Sequence, residues 1–259
     1  MTVPTSRTPV PKELAISSPT EPRCILLRHA ERPALSPGDP GSDLPLTAAG
    51  EAAARTYGRH LAGSISSIRT SPILRCARTA ALIRSCAQTK IPIQEDTTLG
   101  DPGIYIAYPD LAWENWLKRG QEGVLEHLAL GGPPLPGFAD PLGSTSQLLV
   151  HLLARARAEP GIHVAVTHDA IMIPLLAAVT RRPLPFDARP HFLEVILLGR
   201  SKGETFVDYR GDRWSAAHLE NKSSEPEKEN TSPRRPKPAN MAPGSAQPAR
   251  PSMTTKSTV

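Results

Sequence analysis

The sequence predicts an α/β fold in which a mostly parallel sheet carries helices on both faces. Three observations predict it: short apolar runs suited to buried strands recur along the chain, helical segments lie between them, and polar clusters follow several runs directly. With 259 residues and 39% apolar residues, the chain can bury a sizeable core. We expect one domain over residues 23–215.

The predicted elements alternate in chain order. The run Cys24–Leu27 indicates the first strand, Thr47 is expected to cap a helix reaching about Leu61, and Ile65–Thr70 indicates the second strand. After Pro72, which a first helical turn tolerates, a second helix is expected to reach Cys86. Further strands are predicted at 91–94, 162–167, 191–198 and 204–209, and further helices at 145–158 and 170–179.

The segment from about residue 100 to 145 breaks this alternation. It is rich in Gly and Pro and contains Trp113 and Trp116. We expect a small cap insertion here with one or two short helices, and we expect it to carry the residues that select the substrate.

The two flanking segments are expected to be disordered. Residues 1–22 contain five prolines, and the basic, Pro- and Ser-rich segment 216–259 contains no aromatic residue. Of the formal net charge of +5, +3 lies in residues 220–259, none in 1–22 and +2 between them. So small a charge on the domain does not indicate nucleic-acid binding.

The cysteines and the hydropathy pattern set further expectations. Cys24, Cys76 and Cys86 form an odd set without the spacing of a metal site or a disulfide framework, so reduced thiols and a cytoplasmic location are the default. No apolar run is long enough to span a membrane, and we expect no membrane association and no secretion signal. Oligomeric state is not indicated.

Polar groups follow three apolar strands at their carboxyl ends. Arg28-His29 with Arg32 follows the first strand, and His168-Asp169 follows the strand 162–167. Arg75 lies in the first turn of the helix that follows the second strand. If these strands are parallel neighbours, their ends meet in one crevice. Guanidiniums, imidazoles and a helix N-terminus there would bind a dianion such as phosphate, and the neutral His29 imidazole could attack phosphorus without a metal or other cofactor.

Four ordered blocks resemble the histidine phosphatase superfamily, which includes phosphoglycerate mutases and acid phosphatases. They are Leu27-Arg28-His29-Ala30-Glu31-Arg32-Pro33, Asp43-Leu44-Pro45-Leu46-Thr47-Ala48-Ala49-Gly50, Thr70-Ser71-Pro72-Ile73-Leu74-Arg75-Cys76-Ala77-Arg78-Thr79-Ala80 and Val166-Thr167-His168-Asp169. The resemblance covers about residues 23 to 200. It implies a phosphoglycerate mutase-like fold, a phosphohistidine on His29, and phosphate contacts from Arg28, Arg75 and His168. Arg32 matches the second arginine of the acid phosphatase signature.

The resemblance leaves the proton donor open between two aspartates. Asp169 follows a pocket histidine directly, as in the acid phosphatase branch, and we prefer it because the preceding strand holds it in place. It could also simply cap the following helix. Asp101 lies shortly after the third strand, where the mutase branch places an acidic donor, but within a flexible Gly-Asp-Pro-Gly turn.

The function expected from these residues is hydrolysis of a small phosphorylated metabolite through a phosphohistidine. A mutase that returns the phosphoryl group to a second hydroxyl is the alternative within the family. A metal-dependent phosphohydrolase would need further ligands beside His168-Asp169, and the other histidines show no ligand spacing. A noncatalytic phosphate-binding protein is the remaining alternative, and the presence of every expected pocket group argues against it.

Overall fold

The computed structural model describes residues 23–35, 41 and 43–220, apart from the side chains at 155, 157, 158 and 220. This part of the chain forms seven strands: β1 (Arg23–Arg28), β2 (Ile65–Thr70), β3 (Ile93–Glu95), β4 (Ile162–Thr167), β5 (Val195–Ser201), β6 (Glu204–Tyr209) and β7 (Asp212–Ser215). It also forms the helices α1 (Ala48–His60), α2 (Leu74–Cys86), α3 (Pro109–Leu130), α4 (Pro141–Ala158), α5 (Asp169–Thr180) and α6 (Ala217–Glu220).

The strands form one sheet in the order β3-β2-β4-β1-β5-β6-β7. The first four strands in this order are mutually parallel, whereas β5, β6 and β7 join the other edge antiparallel. The expected mostly parallel α/β fold is therefore confirmed, with an antiparallel edge that the periodicity did not specify.

Alternation along β1 shows how the sheet is covered on both faces. Ile25 and Leu27 pack with residues of α1 and α2, whereas Cys24 and Leu26 pack with residues of α4 and α5. All four side chains are at most 1% exposed. Because successive side chains of a strand point to opposite faces, a continuous apolar run is what a strand buried between two helical layers requires.

Helix α1 begins as the sequence predicts. The Thr47 hydroxyl accepts a hydrogen bond from the Gly50 amide, and it donates to the Glu31 carboxylate at 2.8 Å. An N-cap of this kind satisfies an amide that would otherwise lack a partner at the helix end. The Thr47 N-cap thus connects the start of α1 to the segment that follows β1.

The cap insertion is largely helical. Helix α3 runs for 22 residues and is interrupted at Gly120, whose φ of 68° and ψ of 172° are not helical. It packs on α5 through a small core that includes Val124, Leu125 and Ile173. Among the described residues, no helix is long and apolar enough to cross a membrane.

Several details differ from the sequence-based expectation. A strand from His191 was wrong, because residues 192–193 form a turn in which Leu193 has a φ of 56°, and β5 begins at Val195. Strand β7 was not predicted. The core continues beyond the expected boundary at residue 215, since Ala216 and Leu219 are 0% and 1% exposed. Most of the expected disordered segments, residues 1–22 and 221–259, lie outside the described residues.

Candidate active site

Three adjacent strands place the candidate residues at one edge of the sheet. Strand β4 lies between β1 and β2, with Arg28 paired to Thr167 and Thr70 paired to Val166. His29, Ser71 and His168 each follow one of these strands directly. Parallel strands in this register end together, and the side chains after them share one crevice.

His29 is held in a single tautomer. Its ring Nδ1 lies 2.7 Å from the Ala30 carbonyl oxygen, which can only accept, so Nδ1 carries the proton. The other nitrogen, Nε2, is therefore unprotonated, and its lone pair accepts a hydrogen bond from Arg75 Nε at 3.1 Å. The side chain is 1% exposed, and the His168 ring centroid lies 5.4 Å from that of His29.

The surroundings of His29 keep its imidazole neutral. Burial lowers its pKa well below the usual range, and the nearby His168, Arg28 and Arg75 lower it further. The hydrogen bond to Ala30 opposes these effects but does not outweigh them. A neutral ring with an unprotonated Nε2 is the form that can act as a nucleophile.

His168 is enclosed by residues from three other segments. Its Nε2 lies 3.0 Å from the Ser71 hydroxyl and 3.3 Å from the Cys76 sulfur. A Cβ added at Gly100 would lie 2.8 Å from the His168 ring, so this approach requires glycine. Burial, followed by the charge of Arg75, lowers the pKa of His168 to about 3.

The arginines supply positive charge around the two histidines. Arg28 donates to the Pro190 carbonyl at 2.6 Å, forms an ion pair with Asp169 at 2.6 Å and lies 4.5 Å from the centroid of Phe192. Arg75 is 8% exposed and donates to the Gly41 carbonyl at 2.8 Å. These contacts fix both guanidiniums beside His29, where an anion would meet them.

Arg32 is held more loosely. Its Nη1 donates to the Pro33 carbonyl at 2.7 Å, while its Nε is buried without a hydrogen-bond partner. Partial burial lowers its pKa, and the like charges of Arg75 and Arg28 lower it further. Three guanidiniums this close together repel one another, which destabilises the charged form of each until an anion binds.

The two candidate aspartates have different surroundings. Asp169 is 9% exposed, and besides its ion pair with Arg28 it accepts a hydrogen bond from the Ala170 amide at 2.9 Å. Burial favours its neutral form, but Arg28 and His168 outweigh burial and lower its pKa. Asp101 is exposed, has a φ of 65°, and has no hydrogen-bond or ion-pair partner among the described residues.

The candidate residues line one cavity of about 860 Å³. Every site residue named from the sequence is present in its wall: Arg28, His29, Arg32, Arg75, Asp101, His168 and Asp169. The described part of the chain contains no group of three or more His, Cys, Asp or Glu side chains arranged to hold a metal ion.

Some wall residues were not singled out from the sequence, namely Leu117 of α3 and, in the segment before β5, Phe186 and Arg189. Trp113 and Trp116 also line the cavity, and they belong to the segment that was expected to select the substrate. Nothing in the local pattern marks Phe186. Ser71 and Cys76 belong to the sequence block at residues 70–80, but their contacts with His168 depend on strand order, which the sequence alone does not specify.

Comparison with solved structures supports the fold. A phosphoserine phosphatase from Entamoeba histolytica, in complex with 3-phosphoglyceric acid, has 16% identity and a TM-score of 0.51, covering 76% of this chain and 98% of that chain. A mycobacterial glucosyl-3-phosphoglycerate phosphatase with VO3 has 18% identity and a TM-score of 0.50, covering 73% and 98%. A protein described as mycobacterial hydrolase 1 has 17% identity and a TM-score of 0.51, with the same coverage.

Sequence comparison identifies the family. None of the curated proteins matches this chain. The family model for the histidine phosphatase superfamily, branch 1, matches residues 24–221, which is more than half of the sequence and includes all seven candidate residues. The chain belongs to the histidine phosphatase superfamily.

Proposed function

We propose that this protein is a phosphomonoesterase that hydrolyses its substrate through a phosphohistidine on His29. The observation that carries the proposal is the 3.1 Å contact between Arg75 Nε and the lone pair of His29 Nε2. A nucleophile and a cation that binds a phosphate oxygen are thereby adjacent at the closed end of the cavity. Phosphoryl transfer requires this combination of positioning and charge stabilisation.

The proposed reaction has two displacements. In the first, His29 Nε2 attacks phosphorus, the bond from phosphorus to the ester oxygen breaks, and a general acid protonates the departing alcohol. In the second, water attacks the phosphohistidine, releases inorganic phosphate and returns His29 to its neutral form. The same acid, now a base, accepts the proton from that water.

Arg28, Arg32, Arg75 and His168 are the proposed phosphate-binding residues. A bound dianion offsets the repulsion among the three guanidiniums and raises the pKa of His168, so this imidazole could donate to a phosphate oxygen when substrate is present. The buried Nε of Arg28 and of Arg32, both without a hydrogen-bond partner, are further donors near this charge.

Asp101 is the better candidate for the proton donor, which reverses the preference expected from the sequence. Asp169 holds Arg28 at 2.6 Å and its carboxylate is stabilised in the charged form, so it is poorly placed to bring a proton. Asp101 lines the cavity and is not engaged by another described residue. We propose that Asp169 positions Arg28 and that Asp101 protonates the leaving group.

Hydrolysis is proposed rather than mutase activity because of the size of the cavity. A mutase must retain a dephosphorylated intermediate and exclude water from the phosphohistidine. A cavity of about 860 Å³, with the exposed Asp101 and Phe186 in its wall, leaves water access to the phosphorylated His29.

The direct test is turnover of an aryl phosphate by the wild-type chain and by His29→Ala. We expect the substitution to remove turnover by at least about 1,000-fold, because the covalent route is lost. The matched control is His60→Ala on the exposed surface of α1, which should retain wild-type turnover. Equal turnover in wild type and His29→Ala would refute the proposed mechanism.

A further inference from the structure

We infer that the alcohol released by this enzyme carries a bulky aromatic group, bound by Phe186, Trp113 and Leu117. The inference rests on the proposed function, since it assigns the leaving-group side of the same cavity. It goes beyond that function by naming the chemical class of the substrate and the residues that select it. Three observations support it, concerning the size of the cavity, the composition of its outer wall and the anchoring of Phe186.

The cavity is much larger than a phosphate group requires. Its volume of about 860 Å³ is near the upper end of the range of roughly 300–1,000 Å³ seen for drug-sized ligands. The histidines and arginines occupy the closed end. A substrate that bound only through its phosphate would leave most of the cavity filled with water.

The outer wall of this cavity is apolar and exposed. Phe186, Trp113 and Leu117 are 73%, 39% and 57% exposed, and all three line the cavity. Large apolar side chains left in contact with water inside a cavity indicate a ligand that covers them. Two of the three are aromatic, and aromatic faces pack best against another flat ring.

Phe186 is exposed on a segment that is firmly anchored. Arg210 donates to the carbonyls of Asp187 and Arg189 at 2.8 and 3.1 Å, and the Tyr209 hydroxyl lies 3.0 Å from the Ala188 carbonyl. Tyr209 and Arg210, at and just after the end of β6, thus bind three successive carbonyls after Phe186. Arg210 is itself fixed by Glu194 at 2.6 Å. An apolar side chain presented on a pinned segment binds with little loss of conformational entropy.

The charges on this wall do not decide between an aromatic group and a second anion. Arg189 pairs with Glu122 at 3.4 Å, and its guanidinium lies 5.0 Å from the Phe186 ring centroid. However, Arg189 Nε is buried without a hydrogen-bond partner, and Glu122 is largely exposed. Arg119 also lines the cavity, so a carboxylate-bearing compound must be included in the test.

The experiment compares the binding of three phosphonates, which bind like phosphate esters but are not hydrolysed. The compounds are ethylphosphonate, 3-phosphonopropionate and 2-(2-naphthyl)ethylphosphonate, and calorimetry on the full chain gives their Kd values. We expect the naphthyl compound to bind at least about tenfold more tightly than ethylphosphonate, in keeping with the effect of small apolar groups in matched pockets. We expect the naphthyl compound also to bind more tightly than 3-phosphonopropionate.

Two variants test whether Phe186 in the cavity wall causes the tighter binding of the naphthyl compound. Phe186→Ala should reduce the ratio of the ethyl to the naphthyl Kd by about 2- to 10-fold, the range expected for one aromatic contact. The matched control is Leu111→Ala, which removes another exposed apolar side chain of α3 that does not line the cavity, and it should leave the ratio unchanged. Because Phe186 is largely exposed, its replacement does not threaten the fold.

Two results would overturn the inference. One is naphthyl binding no tighter than ethyl binding, or weaker than binding of the carboxylate compound. The other is the same ratio in Phe186→Ala as in wild type. Because binding is measured without turnover, absence of phosphatase activity would count against the proposed function alone and would leave this comparison intact.

Discussion

At the scale of single residues, the proton donor is the point on which the structure and the sequence differ most. Adjacency to His168 favoured Asp169, but adjacency in sequence does not reveal which partner a carboxylate has in the folded chain. The structure pairs Asp169 with Arg28 and leaves Asp101 unengaged among the described residues. The charge state of an acid depends on such partners, which lie far apart in sequence.

Asp101→Asn should therefore slow alkyl phosphates selectively. An alkyl alcohol leaves poorly without a proton, whereas a nitrophenolate leaves readily, so we expect kcat to fall by about 100-fold for an alkyl ester and by far less for a nitrophenyl ester. Steady-state kinetics on both esters measures this difference.

Asp169→Asn provides the contrast. It removes the ion-pair partner of Arg28, so both esters should slow by a similar factor. The assignment of the donor would be reversed by a selective loss for the alkyl ester in Asp169→Asn together with an equal loss for both esters in Asp101→Asn.

The buried histidines make stability depend on pH. Both His29 and His168 are kept neutral in the folded chain, whereas an unfolded histidine has a pKa of about 6.5. As the pH falls below that value, the unfolded chain takes up protons that the folded chain does not. The free energy of unfolding therefore decreases, and for His168 the decrease continues toward a pH of about 3.

His168→Gln should reduce this pH dependence. Below pH 6.5 the buried imidazole lowers the free energy of unfolding by up to about 1.4 kcal/mol per pH unit, and the variant lacks that contribution. Urea denaturation at pH 7.5 and 5.5 gives the two free energies of unfolding. His60→Gln, at an exposed histidine, is the control and should behave as wild type. An unchanged difference in His168→Gln would show that His168 is not held neutral.

At the scale of secondary-structure elements, local chemistry explains what the sequence predicted well. The N-cap at Thr47 and the strand Ile162–Thr167 have the predicted positions, because capping and apolar runs act over a few residues. The strand Ile65–Thr70 also has its predicted position, although only Ile65 and Ile68 in it are apolar. The cap insertion was expected to contain one or two short helices, and α3 consists of two helical stretches on either side of Gly120. The packing of α3 on α5 is a tertiary contact with no local signal.

The N-cap of α1 at Thr47 offers a test at this scale. Thr47→Ala removes the hydroxyl that satisfies the Gly50 amide and contacts Glu31, and we expect the free energy of unfolding to fall by about 1 kcal/mol. Thr47→Ser keeps the hydroxyl and should lose much less. Chemical denaturation of both variants measures the difference, and equal losses would show that the hydroxyl is not the stabilising group.

At the scale of the whole molecule, the candidate site follows from strand order. The sequence predicted that polar groups after three strands would meet if those strands were neighbours, and the order β2-β4-β1 makes them neighbours. The aromatic wall could not be predicted in the same way. It combines α3 with the segment before β5. These lie far apart in sequence and are joined by a hydrogen bond from the Leu184 amide to the Ala129 carbonyl and by the ion pair of Arg189 with Glu122.

The central claim is that the phosphoryl group passes through His29, and label transfer tests it most directly. The full chain is mixed with a ³²P-labelled aryl phosphate and quenched in alkali within milliseconds, and the labelled peptide is identified. The account predicts an acid-labile, alkali-stable label on His29 in wild type and none in His29→Ala. Label on any other residue, or turnover in wild type with no labelled enzyme at any quench time, would contradict it.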